Sequence, residues 1–216
     1  MSTSETKEKL LETALTLIWQ SSYSSVGVNE ICRQAGVTKG AFYHHFSSKA
    51  SLFCEATTFY WQVIKHDLDA ILSPINTPLE QLENLIQFLI KSKLGKNNER
   101  LPGCPFFNAG AQMGTDDEQV MTALMTLSTT AIAYNRALIN ALNNGDYLIY
   151  EMDSEQLARL MYNFINGCMN YANIQRDAES IINDLPIGLY RLLGLKQEHW
   201  FSTKATWADE PSLFLS

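Results

Sequence analysis

The chain has 216 residues, of which 46% are hydrophobic and 18% charged, and a net charge of -7. That is long enough to bury a substantial core and ordinary for a folded protein, which excludes disorder over most of its length. No run approaches the ~18 uninterrupted apolar residues of a membrane span, and the acidic balance excludes a wholly basic nucleic-acid binder.

Charge is unevenly spread. Residues 1–65 carry six Lys/Arg against five Asp/Glu, whereas residues 66–216 carry ten against eighteen. A locally basic N-terminal part on an acidic body can attract phosphate while limiting non-specific adhesion. The first twenty residues, MSTSETKEKLLETALTLIWQ, mix both charge signs with periodic leucines. They lack the unbroken apolar stretch of a secretory leader, so a cytoplasmic location is expected. Cys32, Cys54, Cys104 and Cys168 are far apart with no C-x-x-C pair, which argues against zinc and against a disulfide framework.

Helical periodicity dominates and no strand pattern is convincing. A first helix is expected over Lys7 to Gln20, with Leu10, Leu11, Ala14, Leu15, Leu17 and Ile18 as its apolar stripe, and Ser2 with Glu5 as a capping box. Tyr23 to Gly27 reads as a turn. Val28 to Ala35 reads as a short helix closed by Gly36, and Thr38 as the N-cap of another, Lys39 to Phe46. Ser48 then caps a long helix from Lys49 to about Leu72, ended by Pro74. Thr77-Pro78 opens an amphipathic helix to Gly95. KNNERLPG reads as a loop and CPFFNAGAQM as a short helix. GTDDEQV starts a long helix with acids in its first turn, where the helix dipole favours them. After a turn at 143–146, helices are expected over Ser154 to about Arg176 and over Ala178 to Leu193, the second interrupted by Pro186. The tail from Lys196 carries Trp200, Phe201, Trp207 and Phe214, which suggest docking on the body.

The fold class is therefore all-α. Three domains of the sequence are expected: 1–48, a three-helix helix-turn-helix domain; 49–195, a larger helical domain; and 196–216, the docked aromatic tail. The first boundary falls inside the long helix beginning at Lys49, so the two main parts share an element rather than a linker.

The segment AGVTKGAFYHHFSSK, Ala35 to Lys49, holds no acidic residue. Two short helices joined by Gly36-Val37-Thr38 make a helix-turn-helix. Phe42 and Phe46, four apart, share the face that packs with Val37, Ile31 and Ala35. The opposite face presents Lys39, Ala41, Tyr43 and His44, suited to a major groove with the helix N-terminus nearest the bases. Gly40 permits close backbone approach. Lys39 and Lys49 are expected to neutralise phosphates, Tyr43 to donate to one, and Ala41 to touch a thymine methyl. The expected DNA-contacting set is Thr38, Lys39, Gly40, Ala41, Tyr43, His44 and Lys49. His45 is as well suited to the domain core, and Arg33 to solvent.

VNEICRQAGVTKGAFYHHFSSKASLF, Val28 to Phe53, resembles the TetR family of one-component transcriptional regulators. It follows that family's order: a helix, an A-G-V-[ST]-K-G turn, a Y-x-H-F recognition helix, then S-K and an apolar helix. Gly27 stands where Ser or Thr often caps the second helix, and Ala50 where an acid is common. Both departures touch local helix stability rather than the docking face.

The resemblance covers about the first quarter of the chain. It implies a homodimer on double-stranded operator DNA, with a variable C-terminal domain that binds an effector and dimerises through two late helices, here Val120–Leu142 and Ser154–Gln175. Leu157, Leu160, Met161, Phe164 and Ile165 are the apolar residues available for that interface, or for the protomer's own core. Repression follows from the family's usual mode of action.

Two effector classes remain open. In LPGCPFFNAGAQ, Pro105 suits a first helical position and puts Cys104 at an N-cap, where a thiol gains nucleophilicity. Cys104 is thus a candidate sensor of electrophiles, or simply a buried cap. Alternatively Tyr60, Trp61, Phe107, Asn108, Tyr134, Phe164 and Tyr171 line a mostly apolar pocket for a planar, weakly polar molecule. No cofactor, metal site or membrane partner is expected. An enzyme is disfavoured, since no H-E-x-x-H, E-x-x-H, G-x-S-x-G or P-loop occurs. The remaining rival is an all-helical small-molecule-binding or interaction protein without specific DNA binding.

Overall fold

The computed structural model describes residues 3–20, 23–92, 117–176 and 178–201. They form eight α-helices: α1 (Thr3–Gln20), α2 (Val28–Ala35), α3 (Lys39–His45), α4 (Lys49–Ile71), α5 (Pro78–Lys91), α6 (Glu118–Asn144), α7 (Ser154–Gln175) and α8 (Glu179–Leu193). A 3-10 turn, Gln197–His199, follows. Among the described residues the β-type pairing is an isolated antiparallel bridge between Leu148 and Leu195. The fold is all-α.

Two compact units emerge, Met1–Lys65 with Cys104–Thr129, and His66–Gly103 with Thr130–Ser216. The division falls inside α4 and inside α6, so each of these helices contributes to both.

In the first unit, Leu10, Ala14, Leu15 and Ile18 of α1 meet Ile31 and Ala35 of α2, Phe42 and Phe46 of α3, and Leu52, Phe53 and Ala56 of α4. Val120 and Leu124, from the first two turns of α6, complete the same cluster. The connections are short because their caps are specific. Gly36 adopts φ 64° and ends α2 by donating to the Arg33 carbonyl, a left-handed position that glycine takes without a Cβ penalty. Thr38 opens α3 by accepting from the Ala41 N–H at 3.1 Å. Ser48 does the same for α4 from the Ser51 N–H at 3.0 Å.

In the second unit, α7 packs on α8. Leu157, Ala158, Met161, Met169 and Ala172 of α7 are buried, as are Ile181, Leu185, Leu189 and Leu193 of α8. Thr77 and Glu80 form a full capping box at α5, with Pro78 in its first turn.

Two expectations change, and others fall outside the described residues. The first helix begins at Thr3, four residues earlier than the leucine pattern indicates, and Ser2 lies outside the described residues. The expected end of α5 at Gly95, the loop after it, the short helix over 104–113 and the tail from 202 also lie outside them. Pro186 does not interrupt α8, which runs through it. Proline removes one hydrogen bond, but the flanking Leu185 and Leu189 are wholly buried and hold the helix to its partners.

Candidate nucleic-acid interface

The recognition surface follows from the burial of α3. Phe42 is wholly buried and Phe46, at its end, nearly so. Their rings lie 5.8 Å apart and anchor the helix to the domain. That leaves Thr38, Lys39, Gly40, Tyr43 and His44 exposed, with Ala41 and His45 half-buried. Tyr43 is 57% exposed, and its ring sits edge-on to Phe42 at 5.1 Å. His45 meets the His44 ring edge-on at 5.1 Å and lies tilted to the Phe46 ring at 6.2 Å. No acidic residue occurs in α3.

A Cβ added at Gly40 would meet the Thr38 hydroxyl at 3.7 Å, an ordinary contact. Nothing among the described residues requires glycine there. Its value lies on the open side, where a missing side chain lets a second backbone come close.

Charges around this face are paired differently. Arg33 donates to Glu30 through Nε at 2.9 Å and Nη2 at 2.5 Å, and Gln34 donates to the same carboxylate at 3.2 Å. Hydrogen bonding from Arg33 holds the Glu30 carboxyl below its usual pKa. Lys7 pairs with Glu55 at 2.5 Å and lies over the Phe46 ring, tying α1 to α4. Lys49, expected on phosphate, has a partner inside the protein: its Nζ donates to the Tyr23 carbonyl at 3.0 Å and sits 4.2 Å from the centre of the Tyr23 ring. Sequence reasoning assigned Tyr23 only to a turn. No local signal links two residues separated by 26 positions.

The other candidate residues are scattered. Cys104, Phe107 and Asn108 lie outside the described residues. Tyr60 and Trp61 are half-buried in the first unit. Tyr134, Phe164 and Tyr171 belong to the second. There the Tyr134 hydroxyl donates to Asp69, and the Phe164 ring lies against Gly188, where a Cβ would come within 2.1 Å of it. Tyr171 is 53% exposed, so it points away from its own protomer's core. Of the expected interface residues, Leu157 and Met161 are wholly buried in their own protomer, Ile165 is half-buried and Leu160 is exposed. An outward stripe on α7 instead joins Leu160, Gly167, Tyr171 and Ile174, spaced at helical turns.

A compact helical domain offering an exposed, acid-free helix behind a glycine turn defines a DNA-binding regulator of the helix-turn-helix class. Residues 10–56 match the family model for bacterial regulatory proteins, tetR family. This match places residues 10–56, the helix-turn-helix part of the chain, in the TetR family of transcriptional regulators.

An uncharacterised HTH-type transcriptional regulator of Bacillus subtilis, YxaF, is 25% identical over 182 residues, covering 82% of this chain and 90% of that one. Three other curated relatives are matched over 46% to 62% of their own length. Among solved structures, a TetR-family regulator of Agrobacterium tumefaciens superposes with a TM-score of 0.80 at 20% identity, covering 88% of this chain and 98% of that one. The reduced form of Escherichia coli NemR does so at 0.75 and 22%, covering 87% and 95%. At these identities the structural likeness speaks for the fold.

Proposed function

We propose that the protein is a homodimeric repressor that reads operator DNA through α3 and releases it when its C-terminal domain meets an effector. The carrying observation is the acid-free face of α3, with Lys39, Tyr43 and His44 exposed while Phe42 and Phe46 anchor the helix. Thr38, Lys39, Gly40, Ala41, Tyr43 and His44 form the docking set. One such helix reads few bases, so a second copy supplies the other half-site about one DNA turn away. The exposed stripe Leu160, Tyr171 and Ile174 on α7 supports an association face of that kind.

The effector reading divides on Cys104. Burial raises the thiol pKa of each described cysteine, Cys32, Cys54 and Cys168, which makes them poor nucleophiles. Thiol sensing therefore falls to Cys104. A reversible aromatic ligand held by Tyr60, Trp61 and Tyr134, with Phe107 and Asn108, is the second reading.

Fluorescence anisotropy on DNA from upstream of the protein's own gene tests both levels. Operator affinity should fall steeply with salt, with a slope of about -0.9 per neutralised phosphate. A slope no steeper than on scrambled DNA, with equal affinity, would favour the interaction-protein alternative. A mild electrophile should release the DNA from the wild type and not from Cys104→Ser. If both keep their DNA, the reversible ligand is the effector class.

A further inference from the structure

The α1–α2 connection and the start of α4 are joined by contacts that the docking face does not use. Lys49 stands in the first turn of α4, half-buried, with its Nζ on the Tyr23 carbonyl at 3.0 Å and over the Tyr23 ring at 4.2 Å. The Tyr23 ring meets Phe53, one turn further along α4, edge-on at 4.7 Å and 73°. Phe53 is itself 1% exposed, so this platform is rigidly seated. Burial pushes the Lys49 ammonium below the ordinary lysine pKa. The Tyr23 hydroxyl is raised by burial first and then by the Asp117 carboxylate at the start of α6.

The entry of α2 needs such an anchor. Its N-cap, Gly27, has no side chain with which to cap the helix. The Gly27 carbonyl accepts from the Glu30 and Ile31 N–H groups, and buried Val26 precedes it. The chain is therefore held on the far side of Gly27 by Val26 and Tyr23. A shift of Tyr23 shifts the first turn of α2, and α2 packs on α3.

We infer that Lys49 is a positioning residue for DNA recognition, a latch that fixes Tyr23 and the entry of α2, and not a phosphate ligand. This rests on the DNA-binding reading above. The carbonyl and the ring hold the half-buried ammonium from two sides, and if it swung outward to a phosphate the glycine-capped entry of α2 would lose this tie to α4.

The test separates direct contact from positioning, because each phosphate neutralised contributes about 0.9 to the salt slope. Lys49→Met keeps the apolar stem and removes the ammonium. Its operator affinity should fall by about tenfold, the scale set by one lost charged hydrogen bond, with the wild-type salt slope retained. Lys39→Ala, as the reference for a phosphate contact, should lower the slope by about 0.9. Hydrogen–deuterium exchange on the free full-length protein should show faster uptake over residues 23–31 in Lys49→Met and unchanged uptake there in Lys39→Ala.

A Lys49→Met slope that falls as it does in Lys39→Ala, with unchanged uptake, overturns the inference, and so does unchanged affinity. Tyr23→Leu serves if Lys49→Met does not fold: it should weaken operator binding at constant slope, and full affinity there overturns the latch. If the wild type fails to bind DNA at all, the functional reading fails first. The exchange result then decides the latch alone, and unchanged uptake in Lys49→Met rejects it.

Discussion

Gly36 and Thr38 place the recognition helix by two different physical means. Gly36 supplies a left-handed turn at φ 64°, and Thr38 supplies an oxygen to a free N–H. Both roles are local and both are legible from residue type. Lys49 is the counter-example: its type and its place beside a helix start suggest phosphate, while the fold gives it the Tyr23 carbonyl and ring. At the same scale, burial raises the thiol pKa of Cys32, Cys54 and Cys168, with Asp117 adding to the effect at Cys54 and Asp184 at Cys168. A raised folded-state pKa stabilises the protein below the pH at which a free thiol ionises, near ~8.5, and that contribution is lost as pH rises through the folded value. Alkylation by iodoacetamide at pH 7.5, followed by peptide mapping, should therefore label these three slowly until denaturant is added, and pH 9 should lower the melting temperature. Rapid labelling of Cys54 in the native protein would contradict the burial that the structure gives it.

At the scale of the element, α5 shows how a helix end stores stability. The Thr77 backbone N–H donates to the Glu80 carboxylate at 2.7 Å, and the Glu80 N–H donates to the Thr77 hydroxyl at 3.3 Å. Hydrogen bonds from Thr77 hold the Glu80 carboxyl below its usual pKa. A lowered folded-state pKa contributes stability above the unfolded carboxylate pKa and loses it as pH falls through the folded value. Thr77→Ala should cost about 1 kcal/mol of unfolding free energy at neutral pH, measured by urea titration. The difference from wild type should shrink as pH drops below the usual carboxylate range. A pH-independent difference would mean that the Glu80 half of the box contributes nothing.

Elements with their own punctuation could be read from the sequence: Gly36, Thr38, Ser48 and Thr77-Pro78 each mark an end the structure retains. Pro186 misleads because its local penalty is outweighed by the buried leucines around it. The stripe on α7 was readable only as apolar. Leu157 and Met161 turn inward and Leu160 outward, and that choice belongs to the packing partner α8 rather than to α7's own sequence.

For the whole molecule, the acidic balance of residues 66–216 and the slight basic excess of residues 1–65 divide two tasks along one chain. Acid-rich surface repels a polyanion, and a local basic excess attracts one. Helices α4 and α6 each contribute to both compact units, and Val120 and Leu124 of α6 sit in the core that holds α3. The DNA-reading part was legible because its geometry is built from short-range signals. The expected effector residues do not converge in that way: Cys104, Phe107 and Asn108 lie outside the described residues, and Tyr60 and Trp61 belong to one compact unit while Tyr134, Phe164 and Tyr171 belong to the other. The most direct measurement is operator binding by fluorescence anisotropy for wild type, Lys39→Ala and Tyr43→Ala, with dimer content checked by sedimentation. Both side chains are solvent-facing, so both variants should remain folded and dimeric. Each should lose operator affinity by about tenfold or more, the scale of one charged or hydroxyl contact to DNA, and the double variant should bind no better than to scrambled DNA. Wild-type affinity in the double variant would contradict recognition through α3.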